Sequence, residues 1–436
     1  MMSVNRFLYL ILAAALGLTF ALTGCQTGGE TSKDGEKAGS DLPAEPSETV
    51  AQEQGDPSTI YSFTSVSQMK KTVPSEKRAS VLLKGYARAN DGGGGMFYWD
   101  AESVLEPDGG VVIEAQDSAK GRYIRVCEDD YRNVKWFGAS GDGNRDDTSP
   151  IRSAVASLPA TGGTVCFPGG IYLITDTIEI GNGDGSGTGS DCNGIRLTGN
   201  GGGFGVHSEK EPTVIQAERK MGAMISVNGK IAGVELTGLC LSAASKAQVC
   251  IAAKAVNGLV LENVVCKMFT ECGIRLAAGT GDGNGCADCR FETVSAVSLT
   301  DNIICVDIGG EAGACVTENC VFTDCRFDIH STLGSTACRI RNAKGLTFYR
   351  SHITGYTESG SDYLVLDASA DGYPSENVFY DCSVASVTVL EEDGHSIGHH
   401  FFYGHGTYDM ETVPDHPMLH GITDSGLAFR FGGGAS

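Results

Sequence analysis

Apolar and polar residues alternate through the middle of the chain in a pattern that returns every 25 to 31 residues. Six seven-residue units share it, starting at Gly233, Gly258, Asp288, Asn319, Gly345 and Glu376. Apolar residues mostly take the second and fourth places, a turn former the sixth, and a small or apolar residue the seventh. Alternation of period two predicts short strands with one buried face. Gly238, Asn263, Asp324 and Asp381 at the sixth place suit a left-handed bend between two strands, because these residue types tolerate positive φ. Thr293 and Arg350 fit that place less well. A second apolar run precedes each unit, at residues 224–227, 249–253, 274–276, 304–308, 338–341 and 364–366.

A unit this short cannot bury its apolar face alone, so the period predicts stacked rungs about 4.8 Å apart. Three short strands per turn in parallel make an all-β fold, a right-handed parallel β-helix built as a single-stranded solenoid. The tight two-residue turns that an antiparallel sandwich requires are not evident in the sequence. Residues 134–174 form its entrance. They run from an apolar stretch and the Gly141-Asp142-Gly143 turn through Asp146-Asp147-Thr148 into a short capping helix with Pro150 near its start. Acidic and hydroxyl residues accept from free N–H groups at a helix start, where proline is also tolerated. Gly162-Gly163 and the strand Thr164-Val165-Cys166-Phe167 follow.

This entry segment resembles that of the pectate-lyase-like right-handed β-helix family, which includes rhamnogalacturonase-type, epimerase-type and tailspike proteins. The resemblance spans roughly residues 134–404. It divides the chain into residues 131–436 as the β-helix and residues 58–130 as a small β-rich head. That head carries the Gly92–Gly95 cluster beside the aromatic run Phe97-Tyr98-Trp99, and resembles the segment that often precedes this β-helix in surface and tailspike proteins. The resemblance allows a homotrimer. The Asp142, Asn144, Asp146 alternation is not an EF-hand loop, since glycine at its sixth place and glutamate at its twelfth are missing.

Composition changes the picture at the amino end. Residues 1–24 carry Arg6 and an apolar run over residues 7–20, a secretory signal too short to be a membrane span. Leu22-Thr23-Gly24-Cys25 resembles a bacterial lipobox, which implies lipidation at Cys25 and an extracytoplasmic chain anchored to the membrane or cell surface. Residues 25–57 hold eight acids, two lysines and almost no large apolar side chain, the composition of a disordered tether. The net charge of −22 argues against nucleic acid as a partner, because phosphate binding needs a basic stripe. Sixteen cysteines leave fifteen if Cys25 carries lipid, so at least one thiol stays unpaired or pairs with another chain. Cys289 and Cys320 at the second place and Cys325 and Cys382 at the seventh are expected inside the stack as small apolar groups.

In β-helical enzymes of this family the resemblance places the substrate, a polysaccharide, along the outer face of the first strand of each rung. Here those outward positions are Arg275, Asp307, Arg339, Arg341, Tyr363, Val365 and Asp367. Asp307, Asp367 and Arg339 are the candidate catalytic residues, and Arg275, Arg341, Tyr363 and His405 the candidate binding residues. Glycoside hydrolysis needs one carboxyl to protonate the leaving oxygen and another to activate water or attack; Asp307 and Asp367 two rungs apart sit about 9.6 Å apart on stacking alone. A lyase instead removes the proton beside a uronate carboxylate, and arginines, or Ca2+ in a pectate-type lyase, stabilise the enediolate. An arginine can also serve as base there, as the resemblance implies. Gly404-His405-Gly406 and Arg339-Ile340-Arg341 echo polygalacturonase motifs in reversed order, without an Asn-Thr-Asp or adjacent Asp-Asp on the first strands. Asp328 and His330 are expected to face outward on the third strand, and His395, His399 and His400 to lie close together. The reading is a surface-anchored enzyme that degrades or modifies a uronate-containing or related glycan by lyase or hydrolase chemistry. Its rival is a non-catalytic adhesin or spike.

Overall fold

The fold was taken from a computed structural model. It describes residues 60–116, 118–181, 193–201, 212–229, 231–279, 285–309, 315–330, 333–355, 361–369, 373–392, 394–403, 414–422 and 428–429. All of these belong to one compact unit beginning at residue 55. Cys25, His405 and the Gly404-His405-Gly406 motif lie outside the described residues.

Parallel strands stack in three columns. The first is an eight-stranded sheet of Ile178–Ile180, Met221–Asn228, Ala247–Lys254, Cys272–Ala277, Ile304–Ile308, Thr336–Ile340, Asp362–Ala368 and Val387–Glu391. Each of the six apolar runs preceding the repeat units falls on one of these strands. Second and third stacks share a nineteen-stranded sheet. Its middle rungs place Arg290–Glu292, Val321–Thr323, Thr347–Tyr349 and Asn377–Tyr380 in the second stack, and Ser295–Ser298, Arg326–Ile329, His352–Gly355 and Ser383–Val384 in the third. The architecture is a right-handed parallel β-helix, the hand that right-twisted strands impose on their crossovers.

The sixth template place makes the bend between second and third stacks in every unit, at φ 64° for Gly238, 51° for Asn263, 55° for Thr293, 52° for Asp324, 44° for Arg350 and 49° for Asp381. Thr293 and Arg350 adopt it despite a cost of roughly 1–2 kcal/mol each for a side chain in this region. The next rung holds them: Thr293 N donates to Thr323 O at 3.0 Å and Arg350 N to Tyr380 O at 2.9 Å. The first template place is left-handed as well, from Gly233 at 69° through Asp288 at 54° to Glu376 at 56°.

Fourth-place side chains fill the interior. Phe291, Phe322, Phe348, Phe379 and Phe402 stack with ring centroids 4.5 to 4.8 Å apart, all fully buried. The cysteines behave as the pattern implies. No disulfide is formed among the described residues, and burial pushes the Cys325 and Cys382 thiols up to about 12, so they stay neutral. Cys289 and Cys320 hydrogen-bond to each other on adjacent rungs without a disulfide.

At the entrance, the helix Thr148–Ala156 puts Ile151 and Ala154 into the solenoid core beside Val134 and Phe137. Asp147 stands at its N-cap position but makes no cap hydrogen bond. Its carboxylate instead accepts from Ser140 N at 2.6 Å and Gly141 N at 3.0 Å, while Asp146 accepts from Thr148 N at 3.0 Å. Asp147 thus ties down the glycine turn that precedes the helix.

The head is a five-stranded sheet, mostly antiparallel, of Ile60–Phe63, Arg78–Leu83, Gly95–Asp100, Arg122–Arg125 and Val112–Glu114 in spatial order, with the helix Val66–Lys70. Its own core holds Phe63, Met69, Phe97, Trp99 and Tyr123. Arg125 joins head to solenoid. Its guanidinium lies 4.4 Å from the Phe97 ring centre and 4.5 Å from that of Trp136, and donates to the carbonyls of Gly93, Gly94 and Gly110.

Candidate functional site

Register fixes which outward side chains of the first stack meet. Arg275, Asp307, Arg339, Val365 and Thr388 occupy one column over five consecutive rungs. Asp307 lies between Val306 and Ile308, both fully buried inward, so its carboxylate points out of the sheet. Even so it is only 2% exposed, because arginines cover it from both sides.

Arg339 meets Asp307 with both ends of its fork, Nε to Oδ1 at 3.0 Å and Nη2 to Oδ2 at 2.9 Å. Arg341, two residues on and facing the same way, brings Nη2 to 3.5 Å of Oδ2, and Arg275 brings Nε to 3.7 Å. Arg275 also donates to Glu271 at 2.6 Å. The three arginine side chains stay between a quarter and a third exposed. Arg341 Nε is buried and meets no acceptor among the described residues.

The electrostatics decide what each group can do. Burial pulls the Arg339 pKa down, but the hydrogen bonds it donates to Asp307 and the charges of Asp307 and Asp367 carry it above its ordinary value. Arg275 behaves alike, with burial opposed by Glu271 and Asp307. Neither guanidinium is disposed to lose a proton, which opposes an arginine base. Beneath them, burial and the Asp307 charge raise the Cys272 and Cys338 thiols, so neither is a nucleophile.

The other expected residues take different places. Asp367 is 6% exposed and accepts from Ser369 N at 3.1 Å. It is not in the Asp307 column: Asp307 aligns through Arg339 with Val365, and Asp367 sits two residues further along the strand. Two rungs plus two residues put their backbones about 12 Å apart, farther than stacking alone suggests. Tyr363 is half-buried at the corner of the third and first stacks, where its hydroxyl donates to Gly355 O at 3.5 Å. Asp328 on the third stack is locked by Arg326 and by Thr354 Oγ1 at 2.6 Å.

His399 and His400 point in opposite directions. His400 points inward, fully buried, with Nε2 3.2 Å from Pro374 O, and burial lowers its pKa to about 3. His399 points outward and meets His420 at 2.8 Å. Among the described residues no group of three or more histidine, cysteine or acidic side chains is placed to hold a metal. Asp307, ringed by three guanidiniums, is a poor ligand for Ca2+, since its oxygens are taken and its surroundings repel a cation.

The sequence reading missed Glu271 and the burial of Asp307. A signal for the cluster was present: Arg275, Asp307 and Arg339 recur at intervals of 32 residues, one rung each, with alternating sign.

Residues 62–128 match the phage tail protein small four-stranded beta-sheet domain, and residues 131–371 the family described as rhamnogalacturonase A/epimerase, pectate lyase-like. A probable glucan endo-1,3-beta-glucosidase of Arthroderma benhamiae is 40% identical over 78 residues, 18% of this chain and 8% of that protein. Alginate lyase 7 of Azotobacter vinelandii is 48% identical over 52 residues, 12% of this chain and 6% of that protein. The chain thus matches under a tenth of the length of either relative. Among solved structures, the tailspike protein gp49 of Acinetobacter baumannii bacteriophage Fri1, a capsular polysaccharide depolymerase, superposes with a TM-score of 0.56 at 14% identity, covering 80% of this chain and 67% of that one. Pantoea stewartii WceF, a glycan biofilm modifying enzyme with a tailspike-like parallel beta-helix fold, gives 0.52 at 13% identity, covering 86% and 52%. At such identities the likeness is one of fold. With the family match covering most of the solenoid, this chain belongs to the rhamnogalacturonase A/epimerase, pectate-lyase-like family.

Proposed function

We propose that this protein cleaves a uronate-containing polysaccharide by β-elimination on the outer face of the first stack. The observation that carries the reading is the convergence of Arg275, Arg339 and Arg341 on the single buried carboxylate of Asp307. Asp307 holds the guanidiniums in place, and their remaining N–H groups are left to pair with a sugar carboxylate in the fork geometry that arginine favours. Withdrawing charge through that carboxylate acidifies the adjacent C–H. A base takes the proton, the electron pair moves into the carboxylate as an enediolate, and the guanidiniums stabilise the new charge. The enediolate pair then returns to form the new C=C bond as the C–O bond to the leaving sugar breaks, and the leaving oxygen keeps the bonding pair and takes a proton from water, giving an unsaturated product. Asp367, on the same face and within the electrostatic reach of Arg339, is the proposed base. Asp307 is a weaker candidate for the proton donor of a hydrolase, because its oxygens already accept from cations.

Of the similar proteins, one is named as an alginate lyase, one as a capsular polysaccharide depolymerase and one as a glucan endo-glucosidase, so action on a polysaccharide is what their names share. We extend the proposal to location: the apolar run over residues 7–20 and Cys25 would tether the chain by lipid outside the cytoplasm. A homotrimer remains part of the same proposal, to be read by light scattering. The test is to incubate the purified chain with alginate, polygalacturonate and neutral glucans, following ultraviolet absorbance of unsaturated ends and, separately, reducing ends. Absorbance with a polyuronate is the expected result. Reducing ends without absorbance would replace elimination with hydrolysis, and neither signal would leave a glycan-binding surface protein.

A further inference from the structure

The outer face of the second stack changes character along the axis. Its fifth-place column reads Thr237, Glu262, Glu292 and Thr323 over four rungs, then Tyr349, Tyr380 and Tyr403 over three. The neighbouring outward column ends in Val378, Phe401 and His420. Tyr349 is 37% exposed, and Tyr380, Tyr403 and Phe401 are partly so. Tyr349 and Tyr380 lie 5.1 Å apart at 8°, Tyr380 and Tyr403 4.6 Å apart at 15°, and Phe401 lies 5.2 Å from His420. The water-facing side of a sheet asks only for polar strand formers, which the earlier rungs supply. Six rings gathered there, His399 included, call for another cause.

Size and charge select the occupant. Two columns about 7 Å apart and three rungs of about 4.8 Å make a strip only some 10 Å tall between the first and last tyrosine roots. A stable protein interface takes about 800 Å2 from each partner, far more than this strip offers. A chain of sugar rings running along the axis meets one aromatic ring per rung. Centroid spacings of 4.6 to 5.1 Å exceed the contact distance of flat rings, so the stack is offset and part of each ring face stays open. The hydroxyls supply polar contacts at the rim. Arg350, beside Tyr349, is already matched by Asp324 through bonds of 2.8 and 2.7 Å. With that cation already paired, Arg350 is not left to hold an anionic polymer at the strip.

We propose that Tyr349, Tyr380, Tyr403 and Phe401 form a second glycan-binding surface that holds neutral hexose residues by ring stacking, apart from the arginine cluster. It keeps the protein on its polymer while cleavage proceeds on another face; the choice of a glycan as ligand class rests on the function proposed above.

The experiment is native electrophoresis of the full chain through gels containing laminarin, a soluble neutral β-glucan, with alginate gels in parallel. Tyr380→Thr installs the residue type that Thr323 already supplies in the same column, and Tyr380→Phe keeps the ring. Laminarin should retard the wild type and Tyr380→Phe, and Tyr380→Thr should weaken that retardation by roughly two- to tenfold on loss of a stacked ring. Alginate retardation and turnover should be the same in all three, and their thermal melts equally cooperative. Equal laminarin retardation of Tyr380→Thr and wild type, or none in either, overturns the proposal. So does an oligomer in light scattering that Tyr380→Thr dissolves, which would make the strip a contact between copies. Loss of alginate turnover with laminarin binding intact would remove the arginine-site reading and leave this one standing.

Discussion

The inner and outer sides of the same strands obey different demands. Thr347–Tyr349 turns Phe348 inward, fully buried, and Tyr349 outward to water, and both belong to columns of like rings. Inside, the column is apolar throughout, because every rung must fill the same cross-section and buried rings are close-packed. Outside, nothing forces one solution. The first stack alternates cation, anion and cation at Arg275, Asp307 and Arg339, and the second passes from acids to tyrosines. In-register stacking sets equivalent positions side by side, so the alternating signs of Arg275, Asp307 and Arg339 support one another, whereas Glu262 and Glu292 on adjacent rungs of the second stack repel. Stability therefore resides in the inner columns, and what a ligand meets is written on the outer ones.

The sharpest break of that comparison is Phe322→Ala, at the centre of the inner ladder. Its two stacked neighbours lie 4.5 Å away on either side, and the change should cost about 3–5 kcal/mol, read as a lower urea midpoint. Next comes Asp307→Asn. Removing the carboxylate leaves three guanidiniums close together without their anion, and a loss of about 2–3 kcal/mol is expected, tempered by the partial exposure of the arginines. An unchanged midpoint would mean the cluster does not hold the outer column together.

His400 tests the inner side through pH. The folded state keeps it neutral down to about 3, against an ordinary value of 6.5, because it is buried. Unfolded chains take up the proton below 6.5 while folded ones do not, so stability falls as pH drops from about 6.5 toward 3. The slope approaches about 1.4 kcal/mol per pH unit. His400→Asn, the residue type that Asn377 places in the same column one rung earlier, should flatten that part of the profile. Urea midpoints at pH 7.5 and 5 for both proteins measure it.

Much of this was legible because the repeat is one rung long. The six apolar runs before the template fall on six of the eight strands of the first stack, and the sixth-place bend appears even at Thr293 and Arg350, where residue type alone spoke against it. Position in a solenoid outweighed local preference there, as the next rung's carbonyls supply the missing stabilisation. The site was legible as a set of outward residues but not as a geometry. Alternation shows that Asp307 points out; only side-chain reach shows that three arginines seal it. Likewise His399 and His400, adjacent where one strand begins, face opposite ways, but that inference needed the strand to be placed first. Asp147 shows the same limit at the entrance, where its cap role passed to Asp146 because two backbone N–H groups of the Gly141 turn lay nearer.

The central claim is that the outer arginines hold an anionic glycan, and Arg341 tests it most directly. It touches Asp307 only at 3.5 Å while Arg339 makes the close pair, so its removal should spare the fold. The measurement is the rate of unsaturated-product formation on alginate, with KM and kcat separated, for wild type and Arg341→Ala. The account predicts a KM raised at least about tenfold, the scale of one lost charge-assisted hydrogen bond, with an unchanged urea midpoint. A KM equal to that of the wild type would contradict it.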